Sequence, residues 1–254
     1  GTAEEEGEEV QSSPESGKPE IQEKKPASLK LYSKFDFIPG QEIIFFDDFE
    51  AEATGNFPSQ WNTNASGEVV TLGDEPGKWF KVTHEGGNYF PEFNQTLPDN
   101  FTIEFDIVAL EEDAGGGELI FTIYSEQGFD ANAYGVPGDA GFEGGIGPQS
   151  HVYSNYTTEE GYMLENSTDV GPLGYDQKKH VSIWVQQPRI RVYIDETKVF
   201  DIPRGIPAGH KYNRFRLNTA NTGWDGAIDN LRIAVGAPDT RNQLLKDGKL
   251  VTRG

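Results

Sequence analysis

The chain has 254 residues, no cysteine, and 42 acidic against 21 basic side chains, giving a formal net charge of −21. The missing thiols exclude disulfides and thiolate chemistry, and the charge repels nucleic-acid phosphates and anionic lipid, so nucleic acid is not expected as a partner. Thirty glycines and 12% aromatic residues suit strands joined by turns, and no apolar run approaches the roughly 18 residues that a membrane-spanning helix needs.

Residues 1–34 read as a disordered acidic linker. Glu4, Glu5, Glu6, Glu8 and Glu9 crowd its start, Pro14, Pro19 and Pro26 interrupt it, and apolar residues are too sparse to offset the entropy of ordering. Order is expected from Phe35 to Val235. Strands are expected at 43–49, 68–72, 78–84, 89–93, 101–110, 119–125, 151–156, 180–187, 189–195, 198–202, 212–219 and 226–235. Several alternate strictly. Phe101, Ile103, Phe105 and Ile107 share one face; Val181, Ile183 and Val185 share another, as do Ile190, Val192 and Ile194. Period two with one apolar face marks half-buried antiparallel strands. Ile194-Asp195-Glu196-Thr197-Lys198-Val199 reads as a tight hairpin. The glycine-rich stretch 127–147 and the stretch 157–176 read as irregular, of a length that is often functional. A short helix is expected near 241–246. The fold class is therefore all-β, a two-sheet antiparallel sandwich over residues 35–235. Its acidic opening strand (Phe45-Phe46-Asp47-Asp48-Phe49) is expected beside its closing strand (Ile228-Asp229-Asn230-Leu231-Arg232-Ile233).

Two constellations could carry chemistry. Asp48 and Asp229 are the pair expected to hold a structural calcium, with Asp47 ranked behind them, because carboxylates and carbonyls of neighbouring strands can supply calcium's roughly six to eight oxygens. The polar faces of the long strands carry Thr122, Tyr124, Trp184, Gln186, Arg191, Tyr193, Arg214 and Arg216. Flat rings beside guanidinium and amide groups can stack on sugars and bond their hydroxyls. The competing reading is cross-strand ion pairing, for example of Arg214 or Arg216 with Glu104 or Asp106. Glu104 and Asp106 are also the one same-face carboxylate pair that could be weighed as glycosidase groups. His84, His151, His180 and His210 show no zinc spacing, and neither a nucleophile elbow nor a phosphate loop is present.

The opening Phe46-Asp47-Asp48-Phe49, the Trp61 that follows, the Arg189–Phe200 hairpin and the closing Ile228-Asp229-Asn230-Leu231-Arg232-Ile233 resemble a concanavalin A-like lectin/glucanase jelly roll. Ser33-Lys34-Phe35-Asp36-Phe37-Ile38-Pro39-Gly40, Phe45-Phe46-Asp47-Asp48-Phe49, Phe57-Pro58-Ser59-Gln60-Trp61-Asn62-Thr63-Asn64 and Gly67-Glu68-Val69-Val70 resemble more closely the N-terminal domain of bacterial outer-membrane OmpA-family proteins. The resemblance implies an exported module of the periplasm or cell surface, with residues 236–254 leading toward a C-terminal OmpA-like domain. Peptidoglycan would be bound only through that second domain. Glucanases of the wider fold carry Glu-x-Asp-x-Glu or Glu-x-Asp-x-x-Glu; Glu104-Phe105-Asp106 begins this pattern, but Val108 and Ala109 stand where the last glutamate belongs. The expected function is a non-catalytic, monomeric cell-envelope module binding a glycan or a surface partner through Tyr124, Trp184, Gln186, Arg191, Tyr193, Arg214 and Arg216. A glycoside hydrolase or lyase, and a spacer without ligand, are the alternatives.

Overall fold

The computed structural model describes residues 35–73, 75–83, 86–110, 117–129, 136–147, 173–219 and 223–236, and the backbone alone of 151–157 and 163–169. The acidic segment 1–34, His84 and the helix expected near 241–246 lie outside the described residues. Within them the chain forms fifteen strands and no helix: β1 Glu42–Asp47, β2 Trp61–Thr63, β3 Gly67–Leu72, β4 Glu75–Val82, β5 Asn88–Pro91, β6 Asn100–Ala109, β7 Leu119–Tyr124, β8 Gly141–Ile146, β9 His151–Thr157, β10 Met163–Asp169, β11 Lys179–Gln186, β12 Arg189–Ile194, β13 Thr197–Ile202, β14 Arg214–Asn218 and β15 Gly226–Val235. Every pairing is antiparallel. Sheet I runs β13-β12-β11-β6-β15-β4-β3, with β1 also on β15; sheet II runs β10-β9-β8-β7-β14-β5-β2.

The alternating apolar residues meet between the sheets. Phe101, Ile103, Phe105, Ile107, Val181, Ile183, Val185, Ile190 and Val192 of sheet I face Tyr89, Leu119, Phe121, Ile123, Phe215 and Leu217 of sheet II in one core. Phe105 spans the gap, with ring centroids 6.4 Å from Phe121 and 6.1 Å from Phe215. Each such side chain contributes roughly 1.5–3 kcal/mol by leaving water. The opening and closing strands lie side by side as expected, with Phe46 opposite Arg232 and Asp47 opposite Leu231. The expected hairpin is also present, Ile194 pairing with Thr197.

Strands β2, β8 and β10 run through stretches whose sequence gives no strand signal. For β8 the reason is a close ring contact. A Cβ at Gly144 would lie 2.3 Å from Phe121 Cζ, and one at Gly141 would lie 2.5 Å from the Ile123 carbonyl oxygen. The Phe121 ring at Gly144 and the β7 backbone at Gly141 occupy the space where a side chain would stand, so these two positions take glycine despite its low strand propensity.

The motif Phe45–Phe49 works as a local clamp. Asp47 Oδ1 accepts from the Phe49 backbone N–H at 2.9 Å, and Oδ2 from Trp61 Nε1–H at 2.9 Å. This turn holds Phe49 at φ 57°, in the left-handed region, which costs roughly 1–2 kcal/mol for a residue with a Cβ. The return is complete burial of the Phe49 ring, 6.0 Å from Trp61 and 5.6 Å from Phe80. Burial pushes the Asp47 carboxyl above its ordinary value, and these two donors offset only part of that.

The outer face of sheet I carries ion pairs. Asp106 accepts from His180 Nδ1 at 2.6 Å, from Lys178 Nζ at 2.8 Å and from Asn230 Nδ2 at 3.0 Å. Glu104 pairs with Arg232 Nη1 at 3.0 Å and lies 3.7 Å from His180 Nε2. Burial would raise the Asp106 carboxyl, but the bonds from His180, Lys178 and Asn230 outweigh it and hold it below the usual range. The same contacts, Asp106 first and Glu104 second, push the His180 imidazolium up to about 9.

Replacing Asp47 by Ala leaves two buried donors without an acceptor. The expected loss is about 2–4 kcal/mol in chemical denaturation, and Asp47→Asn, which retains one acceptor oxygen, should lose less. A change below about 0.5 kcal/mol for the alanine variant would show that the clamp carries no stability. The His180 imidazole should titrate near pH 9 by NMR, moving toward its ordinary value in Asp106→Asn. Because its folded value is raised, its contribution to stability is complete below about 6.5 and is lost as the pH rises through about 9.

Candidate functional site

The structure divides the expected ligand-binding residues between two surfaces. Trp184 and Gln186 of β11 and Arg191 and Tyr193 of β12 lie in sheet I, whereas Tyr124 of β7 and Arg214 and Arg216 of β14 lie in sheet II. Since the inner faces of both sheets share one core, their outer faces point to opposite sides of the sandwich. Alternation within a strand assigns each residue to a face, but it does not say which sheet the strand joins. One surface built from all of these residues is therefore not formed. The ion pairing expected of Arg214 and Arg216 with Glu104 or Asp106 changes partners for the same reason.

On sheet I the chain covers its own aromatic residues. Phe35 and Phe37 pack on Tyr193, with centroids 5.6 and 5.5 Å away, and Phe37 also meets Trp184 edge-on at 6.3 Å. Asp36 accepts from the Tyr193 hydroxyl at 2.9 Å and pairs with Lys198 at 3.0 Å. The Arg191 guanidinium lies 4.8 Å from the Trp184 ring and donates to Gln186 at 2.8 Å, while Trp184 Nε1 donates to Asn100 at 3.0 Å. Trp184 is 7% exposed and Tyr193 fully buried. Burial and the Asp36 carboxylate together drive the Tyr193 hydroxyl well above its ordinary value. The strap of residues 35–37 thus engages Tyr193, Trp184 and Lys198, while Arg191 and Gln186 bond each other beside it.

The carboxylates expected to hold calcium lie near this face. Asp48 Oδ1 accepts from the Glu50 N–H at 3.2 Å, closing an exposed turn. Asp229 is buried, and its carboxylate accepts from the backbone N–H of Asn230 at 2.7 Å and from Asn230 Nδ2 at 2.9 Å. The same amide reaches Asp106, so Asn230, held at φ 54°, bridges two carboxylates. Burial raises the Asp229 carboxyl to about 7, and the charges of Asp106 and Asp48 add to the rise. Among the described residues no group of three or more His, Asp or Glu is placed to hold a metal ion. Glu104 and Asp106 sit on this same face within their ion pairs, on the opposite side of the sandwich from the groove described next.

The outer face of sheet II carries a groove of about 720 Å³ lined by Asn62, Phe90, Glu92, Asn94, Tyr124, Glu126, Phe129 and Arg214, among others. Strand pairing sets its floor, placing Arg214 opposite Tyr124 and Asn62 opposite Phe90. Phe129 stacks on Tyr124, the centroids 6.2 Å apart and the planes 22° from parallel, and remains 50% exposed. Glu126 pairs with the Arg214 guanidinium, which also donates to the Asn213 carbonyl at 2.9 Å. Asn213 Oδ1 in turn accepts from the Glu126 N–H at 3.0 Å, tying the end of β7 to the start of β14. Burial raises the Tyr124 hydroxyl, and the charges of Arg216 and Arg214 offset part of this. Arg216 does not line the groove. It is buried within the sheet face, 3.2 Å from Thr122 Oγ1 and 3.5 Å from Glu143 Oε2.

Tyr124 and Arg214 are thus the expected residues that the structure brings into one groove. Asn62, Phe90, Glu92, Asn94, Glu126 and Phe129 join them without having been anticipated. Phe129 had a signal in its place in the long glycine-rich stretch, and Phe90 and Glu92 in the strand expected at 89–93. Strand β2 is too short for any periodicity to show.

No protein-family model and no curated protein sequence matches this chain. Several solved structures resemble it. The carbohydrate recognition domain of Emp46p in its potassium-bound form has a TM-score of 0.53 at 13% identity, over 70% of this chain and 90% of that one. The VIP36 exoplasmic/lumenal domain, solved with Ca²⁺ and Man3GlcNAc, has a TM-score of 0.52 at 10% identity, over 72% of this chain and 88% of that one. The carbohydrate recognition domain of Emp47p has a TM-score of 0.51 at 14% identity, over 75% of this chain and 94% of that one. Likeness at this level of identity shows the fold, an antiparallel two-sheet jelly-roll sandwich.

Proposed function

We propose that this chain is a non-catalytic saccharide-binding module, and that its ligand lies in the groove on sheet II. The observation that carries the reading is the exposed Phe129 ring stacked on Tyr124 beside Arg214, Asn62 and Asn94 in one concave space. Aromatic faces pack on the C–H faces of sugar rings, while amide and guanidinium groups bond hydroxyls in fixed directions. Resemblance to domains whose names include carbohydrate recognition supports the reading. A hydrolase reading fits this groove less well, because Glu92 and Glu126 are both exposed to solvent, and a general acid needs shielding that raises its proton affinity.

The setting in this proposal is an exported cell-envelope protein, with the sandwich at 35–235 between two linkers. The resemblance to OmpA-family N-terminal domains and the lumenal setting named for VIP36 support it. The proposal also retains a structural calcium on Asp48 and Asp229, supported by the Ca²⁺ named in the VIP36 structure.

In a glycan-binding assay Phe129→Ala should weaken retention about fivefold, the worth of roughly 1 kcal/mol of aromatic contact, with an unchanged melting curve. Trp184→Ala should do the reverse, lowering stability by about 3 kcal/mol while leaving retention intact. The opposite pattern would move the ligand to sheet I. If calcium is structural, its addition to EDTA-treated protein should raise the melting temperature by about 2–4 °C, and Asp229→Asn should abolish the rise. An unaltered melting curve removes the metal from the proposal.

A further inference from the structure

The charged groups of the groove point to a class of saccharide; this inference rests on the saccharide-binding reading above. Three charged side chains line the groove: Glu92, Glu126 and Arg214. Arg214 is the only cation among them. Its guanidinium is already met by the Glu126 carboxylate and by the Asn213 carbonyl, so it presents little unbalanced positive charge to a ligand. Glu92 is exposed on the stretch that follows β5. Its backbone N–H is fixed to the Gln60 carbonyl at 2.9 Å, so the residue has a defined place at the rim. Taken together the lining is net negative. It lies on a chain whose formal charge is −21, and a concave, low-dielectric surface concentrates a field of that sign.

We infer that Glu92 makes the groove selective for saccharides bearing a free amine, such as oligomers of a 2-amino-2-deoxyhexose, over their N-acetylated counterparts, and that acidic sugars are rejected. A protonated sugar amine supplies three donors and one positive charge; Glu92 supplies an acceptor of opposite charge. Phe90 and the exposed Phe129, backed by the buried Tyr124, give the ring its apolar contact irrespective of its charge. A uronate or a sulfated sugar would bring its anion against two carboxylates, while the one guanidinium is already engaged. Because Glu92 is exposed, the discrimination should be modest and salt-sensitive rather than absolute.

The test is titration calorimetry on the whole chain with a glucosamine tetramer, its fully N-acetylated equivalent and a galacturonate tetramer. It is run in mildly acidic buffer, where the amines are protonated, at about 0.1 M and about 1 M salt, which screen charges beyond roughly 10 and 3 Å respectively. Glu92→Gln is measured beside the wild type, with circular dichroism confirming its fold. The expected order at low salt is amine tightest by about three- to fivefold over the acetylated form, with galacturonate weakest. The preference should disappear in Glu92→Gln and shrink at high salt. Equal or tighter binding of the acetylated form, or an amine preference that survives in Glu92→Gln, overturns the inference while the saccharide-binding reading stands. Binding of none of the three overturns that reading, and this inference falls with it.

Discussion

The structure depends on one strand. β15 is hydrogen-bonded to β6 along one edge and to β4 and then β1 along the other. The change of partner on that second edge comes at Asn230, whose left-handed backbone shifts the register between Asp229 and Arg232. β4 takes Gly226–Ile228 of this edge and β1 takes Leu231–Val235. The opening strand of the sandwich is thereby joined to the closing one, and the Asp47 clamp delivers Phe49 into the core beside Trp61 and Phe80. Closure of the chain and filling of the core are thus coupled through a few residues at the end of β1 and the middle of β15.

Electrostatics follow the same division of faces. A chain with twice as many acidic as basic side chains places several of its cations on sheet carboxylates: Lys178 and His180 on Asp106, Arg232 on Glu104, Arg189 on Asp201, Arg216 on Glu143. Exposed pairs of this kind are worth little individually. The buried ones matter more for register, because a slip of one residue would strand a charge on the core face. On the groove's own sheet, Arg216 is met by Glu143 and Arg214 by Glu126.

Much of the fold was legible because its central strands alternate. Phe101–Ile107, Val181–Val185 and Ile190–Ile194 declare their buried faces residue by residue, and all of them pack in the core. What the pattern could not reveal was membership of a sheet. Trp184 and Tyr124 carry the same local signature of an aromatic residue on a polar face, yet they lie in different sheets. Nor could alternation foresee that Phe35 and Phe37, outside any strand, would cover Tyr193 and Trp184. The groove was half legible for similar reasons: Tyr124 and Arg214 sit in clear strands, whereas Asn62 lies in a strand of three residues and Phe129 in a turn.

Strand β8 has a further consequence for how sequences with this fold are compared. Gly144 marks an absence that the ring of Phe121 requires, and Gly141 one that the Ile123 carbonyl requires. Matching by apolar alternation would pass over Gly141–Ile146 as a gap, although a sheet of seven strands continues through it. In such a region kinship is written in what has been removed, and a relative would be aligned more securely by pairing Gly144 with the aromatic residue across from it, Phe121, than by any likeness of side chains along the strand.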